Sequence, residues 1–143
     1  MIGRYAGSLI AWLFVPLVFM ACAQIPTGAD PVEFRIRESQ LNVQTIKSTI
    51  PLAGYSEEDQ AKLSEIFTKV DQVLTAAQTA YKGGGDPLDT IEAAIPVLNK
   101  IVAQIDSEKG RQDGQRLVAT LNLTVQVLKN QRTLEQEFSQ PAI

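Results

Sequence analysis

Apolar residues recur every three or four positions along four stretches of the chain after residue 30, each about 20–27 residues long. Short polar, glycine or proline breaks separate these stretches. This spacing places the apolar side chains on one face of a helix, so each stretch predicts an amphipathic helix. The clearest stripe contains Leu63, Ile66, Phe67, Val70, Val73, Leu74, Ala77, Ala80 and Tyr81.

The first three helices also have recognisable starts. Asp30 and Asp86 each precede a proline, and Ser56 precedes three acidic residues. Short oxygen-bearing side chains accept hydrogen bonds from the free N–H groups of a first helical turn, and proline at the first helical position loses nothing there. Pro51 and Gly83 are expected to end the first and second helices.

The last two helices are less regular. Pro96 interrupts the third one, whose apolar repeat continues in phase beyond it, which predicts one locally kinked helix. A polar turn is expected over residues 106–114, because Gly110 and Gly114 interrupt the pattern there. The last helix is then predicted over residues 115–138.

Together these elements predict an all-α domain over residues 30–143, an antiparallel up-down bundle of four helices. Residues 32–37 also alternate in a way that is typical of a strand. A single isolated strand would have no partner, so helix is the preferred interpretation.

The first 23 residues have a different pattern. Arg4 is the only charge before Asp30, and the run from Leu9 to Met20 is apolar apart from Pro16. A short cationic start followed by a brief apolar run predicts an export signal. The run is shorter than the roughly 20 apolar residues that a transmembrane helix needs.

The residues Phe19-Met20-Ala21-Cys22 at the end of this run resemble the lipobox of bacterial lipoproteins, with Phe19 in place of the usual Leu and Met20 in place of the usual Ala or Ser. The resemblance covers the signal segment alone. It implies that residues 1–21 are removed before Cys22, that the Cys22 thiol receives a diacylglycerol, and that residues 22–29 form the lipidated cysteine and a tether. It also implies a cell-envelope location, and Ala23 resembles the outer-membrane sorting pattern, with the protein facing the periplasm.

Two other outcomes stay open for the same residues. Ala21-Cys22-Ala23 also fits an ordinary signal-peptidase site, and cleavage after Ala23 would release a soluble periplasmic protein. An uncleaved segment would instead serve as an N-terminal transmembrane anchor.

The amino-acid composition limits which kinds of catalytic and metal-binding site the chain can contain. The chain has 143 residues, a net charge of −3 and no His, and beyond position 22 it has no Cys, Met or Trp. Haem, di-iron and zinc sites and the Ser-His and Cys-His nucleophiles need those residues, so we expect no catalytic residue, no cofactor and no metal. The acidic balance argues against nucleic acid as a partner. Glu57, Glu58 and Asp59 are expected to be a solvated helix start.

These observations favour a non-enzymatic lipoprotein, bound to the membrane through the lipid on Cys22 and acting through contacts between its helical bundle and an unidentified envelope protein. One alternative is a periplasmic carrier with an apolar pocket, opened by Pro96 and the Gly83–Gly85 turn. Another is a phage- or prophage-encoded lipoprotein for lysis or superinfection control. An enzyme that uses carboxylates alone is the least favoured reading.

Overall fold

The computed structural model describes residues 28–139 and shows an all-α bundle, as predicted, with no strand among those residues. The helices are α1 (Pro31–Thr49), α2 (Glu57–Lys82), α3 (Pro87–Ala103) and α4 (Glu108–Ser139), and a short 3₁₀ turn, Leu52–Gly54, lies between α1 and α2. Each helix packs against the next one along the chain, and α1 also packs against α4, which closes the antiparallel bundle.

The predicted starts of the first three helices are confirmed. The Asp30 carboxylate accepts hydrogen bonds from the backbone N–H groups of Val32 (2.9 Å) and Glu33 (3.2 Å). The Ser56 hydroxyl accepts one from the Asp59 N–H at 3.2 Å, and Asp86 accepts one from the Leu88 N–H at 3.0 Å. These caps satisfy donors that an isolated helix end leaves free.

The apolar stripes form one continuous core. Val70, at the centre of the α2 stripe, is completely buried, and Gln72, two positions on, is exposed. Val73 and Ile46, which belong to the predicted stripes, are only half-buried at the edge of the core. The other completely buried large side chains are Ile36, Val43, Leu63, Ile66, Leu74, Ile91, Leu117 and Leu121.

Helix α3 runs through Pro96 as one helix, and Pro96 is exposed to solvent. Its last predicted apolar residue, Ile105, lies beyond the end of the helix, where it is nevertheless buried. The seven-residue repeat therefore gave the correct burial for Ile105 and an end for the helix that is two residues too late.

The predicted turn over residues 106–114 is wrong over most of its length, because α4 begins at Glu108. The Ser107 hydroxyl accepts a hydrogen bond from the Gly110 N–H at 3.1 Å and so caps the helix. Gly110 and Gly114 lie inside the helix, where both are buried. A β-carbon at Gly114 would lie only 3.1 to 3.4 Å from side-chain atoms of Val102, Ile66 and Ile105. These glycines reflect close helix packing rather than a turn.

The prediction that Asp59 is solvated is wrong, because its side chain is buried. Glu57 and Glu58 are exposed, as expected. The two carboxylate oxygens of Asp59 accept hydrogen bonds from the backbone N–H groups of Asp106 (3.0 Å) and Ser107 (3.1 Å). The bond from the Asp106 N–H is the main reason that the pKa of Asp59 lies below its ordinary value. Asp59 thus fixes the α3–α4 loop to the start of α2.

A second long-range hydrogen bond stabilises the same end of the bundle. The Tyr55 hydroxyl donates a hydrogen bond to the carboxylate of Asp113, which is buried on α4 and lies 3.3 Å from the Arg116 guanidinium. Burial, together with this bond to an anionic acceptor, raises the pKa of Tyr55 to about 12. The loop before α2 is therefore held against the start of α4.

Candidate functional site

The end of the bundle where the chain enters is the candidate functional site, because the predicted lipid attachment at Cys22 lies eight residues before the cap of α1. Cys22 itself, the lipobox and most of the predicted tether lie outside the described residues. We call this end, formed by the starts of α1 and α3 and the ends of α2 and α4, the tether end. Seven residues between Cys22 and Asp30 can span at most about 25 Å.

Asp30 links α1 to α2 at the tether end. One of its carboxylate oxygens caps α1, and the other accepts a hydrogen bond from the Tyr81 hydroxyl at 2.6 Å. This bond is the main cause of the lowered pKa of Asp30, and it is also the main reason that the pKa of Tyr81 rises to about 12. The residue at which the predicted tether joins the bundle is therefore held on two sides.

Asp86 makes the equivalent link between α3 and α4. While it caps α3, it also accepts a hydrogen bond from the Arg132 guanidinium at 2.9 Å. That bond holds the pKa of Asp86 below its ordinary value and raises the pKa of Arg132. Each Asp-Pro start thus caps its own helix and binds the end of the neighbouring antiparallel helix.

Glu33, in the first turn of α1, lies close to polar side chains of both α1 and α2. It lies 3.3 Å from the Arg37 guanidinium, 3.4 Å from the Lys82 ammonium and 3.4 Å from the Gln78 amide. Solvent-exposed ion pairs of this kind stabilise a fold only slightly, so this cluster mainly orients side chains at the tether end.

A cleft of about 380 Å³ opens at the surface between these links. It is lined by apolar residues of the helix starts, by Tyr81, Arg132 and Glu135, and by the Gly84–Gly85 turn. The Gln131 side-chain oxygen is buried beside it without a hydrogen-bond partner. The carboxylates of Asp30 and Asp86 are already occupied by caps and cross-helix bonds, so neither is poised for acid–base work. None of the described residues that line the cleft carries a thiol or an imidazole.

Helix α4 continues past Arg132, the residue bound to the start of α3, as far as Ser139. Two large apolar side chains lie on this extension, Leu134 at 52% exposed and Phe138 at 86% exposed. They are four residues apart and therefore share one helix face. The sequence pattern correctly predicted that both residues belong to the last helix. It could not predict that they are exposed, because burial depends on whether another helix extends alongside this part of α4.

The carboxylates that hold the bundle together predict how its stability responds to acid. The pKa values of Asp30, Asp59 and Asp86 are lowered in the folded state. The stabilisation that these carboxylates provide is therefore complete above the unfolded pKa of about 4. It is lost as the pH falls below that value and through the lower pKa values of the folded state. With no His in the chain, we expect a constant melting temperature from about pH 8 to about pH 5 and a steep decline below about pH 4.

Thermal unfolding followed by circular dichroism across this pH range tests the expectation. The matched control replaces all three aspartates by asparagine, which cannot ionise, and this variant should melt lower and respond less to acid. A wild-type melting temperature that stays level to about pH 3 would contradict the assignment.

No helix among residues 28–139 is long and apolar enough to cross a membrane, and no group of three or more potential metal-binding side chains occurs within that range. Comparison with protein-family models finds no match to this chain, and comparisons with curated proteins and with solved structures find none either.

Proposed function

We propose that this protein is a non-enzymatic lipoprotein of the bacterial cell envelope, attached through a lipid on Cys22 and acting through protein contacts made by its helical bundle. The observation that carries the proposal is the junction between the two parts of the chain. An apolar segment ends at Cys22, and Asp30, eight residues further along the chain, fixes the start of a packed bundle.

The geometry of this junction supports a close attachment to the membrane. With Asp30 held by α1 and by Tyr81, a tether of at most about 25 Å would keep the tether end near the lipid surface. The long sides of the bundle would then project away from the membrane and stay accessible to a partner. A lipid-anchored bundle of this kind positions a contact surface at a defined height.

The carrier remains the second candidate because of the 380 Å³ cleft beside the Gly84–Gly85 turn. Sites for apolar ligands usually enclose most of the ligand between apolar walls. Here the cleft is open and is partly lined by Arg132 and Glu135. The bundle interior, by contrast, contains tightly packed apolar side chains. Protein contact is therefore the better supported use of the fold.

Metabolic labelling with palmitate in a bacterial host tests the lipid attachment. The wild-type chain should take up the label, and Cys22→Ser should not. The matched control combines Cys22→Ser with Ser48→Cys, which restores one exposed thiol on α1 outside the lipobox and should stay unlabelled. Equal labelling of wild type and Cys22→Ser would contradict the proposal.

Mass spectrometry of the N-terminal peptide separates the three outcomes for the export segment. A lipoprotein begins at a modified Cys22, and a soluble periplasmic protein begins at Gln24. An anchored protein retains residues 1–23. Either of the last two results, without lipid on Cys22, would reject the proposed attachment while leaving the fold unaffected.

A further inference from the structure

The end of α4 extends beyond the bundle at the tether end. Arg132 is the last residue of α4 that is bound to another helix start, through Asp86. No residue from 129 to 138 is buried, and residues 133–138 are all exposed. We call residues 133–138 the α4 tip. At 1.5 Å per residue the α4 tip is about 9 Å long.

The α4 tip is a short amphipathic segment. Leu134 and Phe138 lie on one face and are 52% and 86% exposed. Successive residues of a helix are about 100° apart, so Glu135 and Glu137 flank this apolar face, one on each side. The segment contains no Lys or Arg. The α4 tip therefore presents apolar area that is bordered by negative charge alone.

The position of the tether decides what lies opposite this face. The chain enters the bundle at Asp30, at the same end from which the α4 tip extends, and only seven residues separate Asp30 from Cys22. If Cys22 carries a lipid, as proposed above, the membrane surface lies at most about 25 Å from Asp30. A membrane anchor that is never removed would place the bilayer at the same end. The bilayer is thus the apolar phase that the chain itself brings to the α4 tip.

From this arrangement we infer that the α4 tip inserts Leu134 and Phe138 into the surface of the bilayer to which the chain is attached. The inference rests on the proposed attachment and adds a second membrane contact to it. Helices that bind a membrane surface bury their apolar face about 5–10 Å deep, which matches the 9 Å length of the tip. A second copy fits this face less well, because a two-fold contact would bring Glu135 and Glu137 close to their own counterparts.

Two apolar side chains bind a membrane weakly by themselves. An anchor in the same membrane converts this contact into an intramolecular one with a high effective concentration, so a weak contact is sufficient. With the tether at α1 and the tip of α4 both fixed to the surface, the bundle would stand upright instead of swinging about its tether. Its long sides would then face a partner in one orientation.

The two acidic residues predict which lipids the tip prefers. Glu135 and Glu137 stay in the headgroup layer, because moving a charge into an apolar phase is costly. There they are repelled by anionic lipids and tolerated by zwitterionic ones. We therefore expect deeper insertion into phosphatidylcholine than into phosphatidylglycerol, with a difference that salt removes.

Tryptophan fluorescence tests the insertion in the full-length chain. Trp12 is the only tryptophan, so a chain with Trp12→Phe and Phe138→Trp reports on the tip alone. After purification in mild detergent and reconstitution into phosphatidylcholine vesicles, its emission should shift to the blue. Brominated lipid, which quenches tryptophan inside a bilayer, should remove most of that emission. The matched control combines Trp12→Phe with Leu123→Trp, at an exposed leucine of α4 (54%) about 22 Å from Phe138, and should keep its emission.

The lipid preference provides an independent measurement. When phosphatidylglycerol replaces part of the phosphatidylcholine, quenching at position 138 should fall at low salt and recover at about 0.5 M salt. Glu135→Gln with Glu137→Gln should abolish this dependence. Glu57→Gln with Glu58→Gln changes two exposed acids at the start of α2, at the opposite end of the bundle, and should leave it intact.

Three results would overturn the inference. One is an emission at position 138 that is neither shifted nor quenched, and another is equal quenching at positions 138 and 123. The third is an emission that is shifted to the blue but not quenched, which would mean that protein covers the tip. Palmitate labelling decides the attachment separately. A labelled chain with an unquenched tip rejects this inference alone, and an unlabelled chain with a quenched tip rejects the lipid on Cys22 alone.

Discussion

Val70→Asp is expected to abolish cooperative unfolding of the bundle at about pH 7, or to lower its melting temperature severely. Val70 is completely buried at the centre of the α2 stripe, surrounded by the aliphatic core. An unpaired carboxylate there costs several kcal/mol, and a domain of this size has only about 5–15 kcal/mol of stability. Thermal and urea unfolding followed by circular dichroism measures the loss.

The pH dependence of this variant identifies the cause. Burial raises the pKa of an introduced carboxyl, so its destabilising effect should be smaller at about pH 5 than at about pH 7.5. The comparison stays above pH 5 because the wild-type bundle is expected to lose stability below about pH 4, where Asp30, Asp59 and Asp86 become protonated.

Gln72→Asp is the matched control, since it adds the same side chain two positions away on the exposed face of α2. Its melting temperature should stay close to that of the wild type. If Val70→Asp unfolds like the wild type and Gln72→Asp does not, the rotational phase of α2 is wrong, and the core built on it is wrong as well.

The parts of the fold that follow from local rules were predictable from the sequence. Helix periodicity identified Val70 and Leu63 as core residues, and Asp-Pro and Ser starts identified three of the four first turns. Both signals depend on residues within one or two turns of each other, so no knowledge of the tertiary structure is needed to interpret them.

The errors arose where a distant part of the chain decides the environment. Three adjacent acids at a helix start are usually solvated, but the α3–α4 loop returns over Asp59 and donates two N–H groups to it. The sequence separation is 47 and 48 residues, so no local pattern could reveal this contact. Ser107 was a usable signal, because a serine three positions before Gly110 can cap a helix, but the glycines suggested a turn.

The candidate site was predictable to a similar degree. Asp30 indicated where the bundle begins, and the helix cap confirms it. The lipobox-like residues predicted lipid attachment at Cys22, which lies outside the described residues and stays a prediction. The bonds from Tyr81 to Asp30 and from Arg132 to Asp86 join residues 51 and 46 positions apart and emerged only from the packing. The exposure of Leu134 and Phe138 also required the structure, because both residues fit the helical pattern whether they are buried or exposed.

Gly114→Leu is expected to destabilise the bundle strongly, although leucine favours a helix more than glycine does. Glycine in a helix interior costs about 1 kcal/mol relative to better helix formers, so an open site would gain stability from the change. At Gly114, however, a β-carbon alone would already lie 3.1 Å from Val102, 3.3 Å from Ile66 and 3.4 Å from Ile105. The remaining atoms of leucine have no free volume in a closely packed core.

Forcing those atoms into the α2–α3–α4 contact should cost roughly 2–3 kcal/mol after the gain in helix propensity, which lowers the melting temperature by roughly 10–20 °C. Gly54→Leu is the control, because a β-carbon at Gly54 meets nothing within 4 Å, and its melting temperature should change by only a few degrees. A turn at residues 106–114, as the sequence pattern suggested, would make the two leucine variants behave alike. Equal melting temperatures for the two would therefore contradict a helix that begins at Glu108 and packs through Gly114.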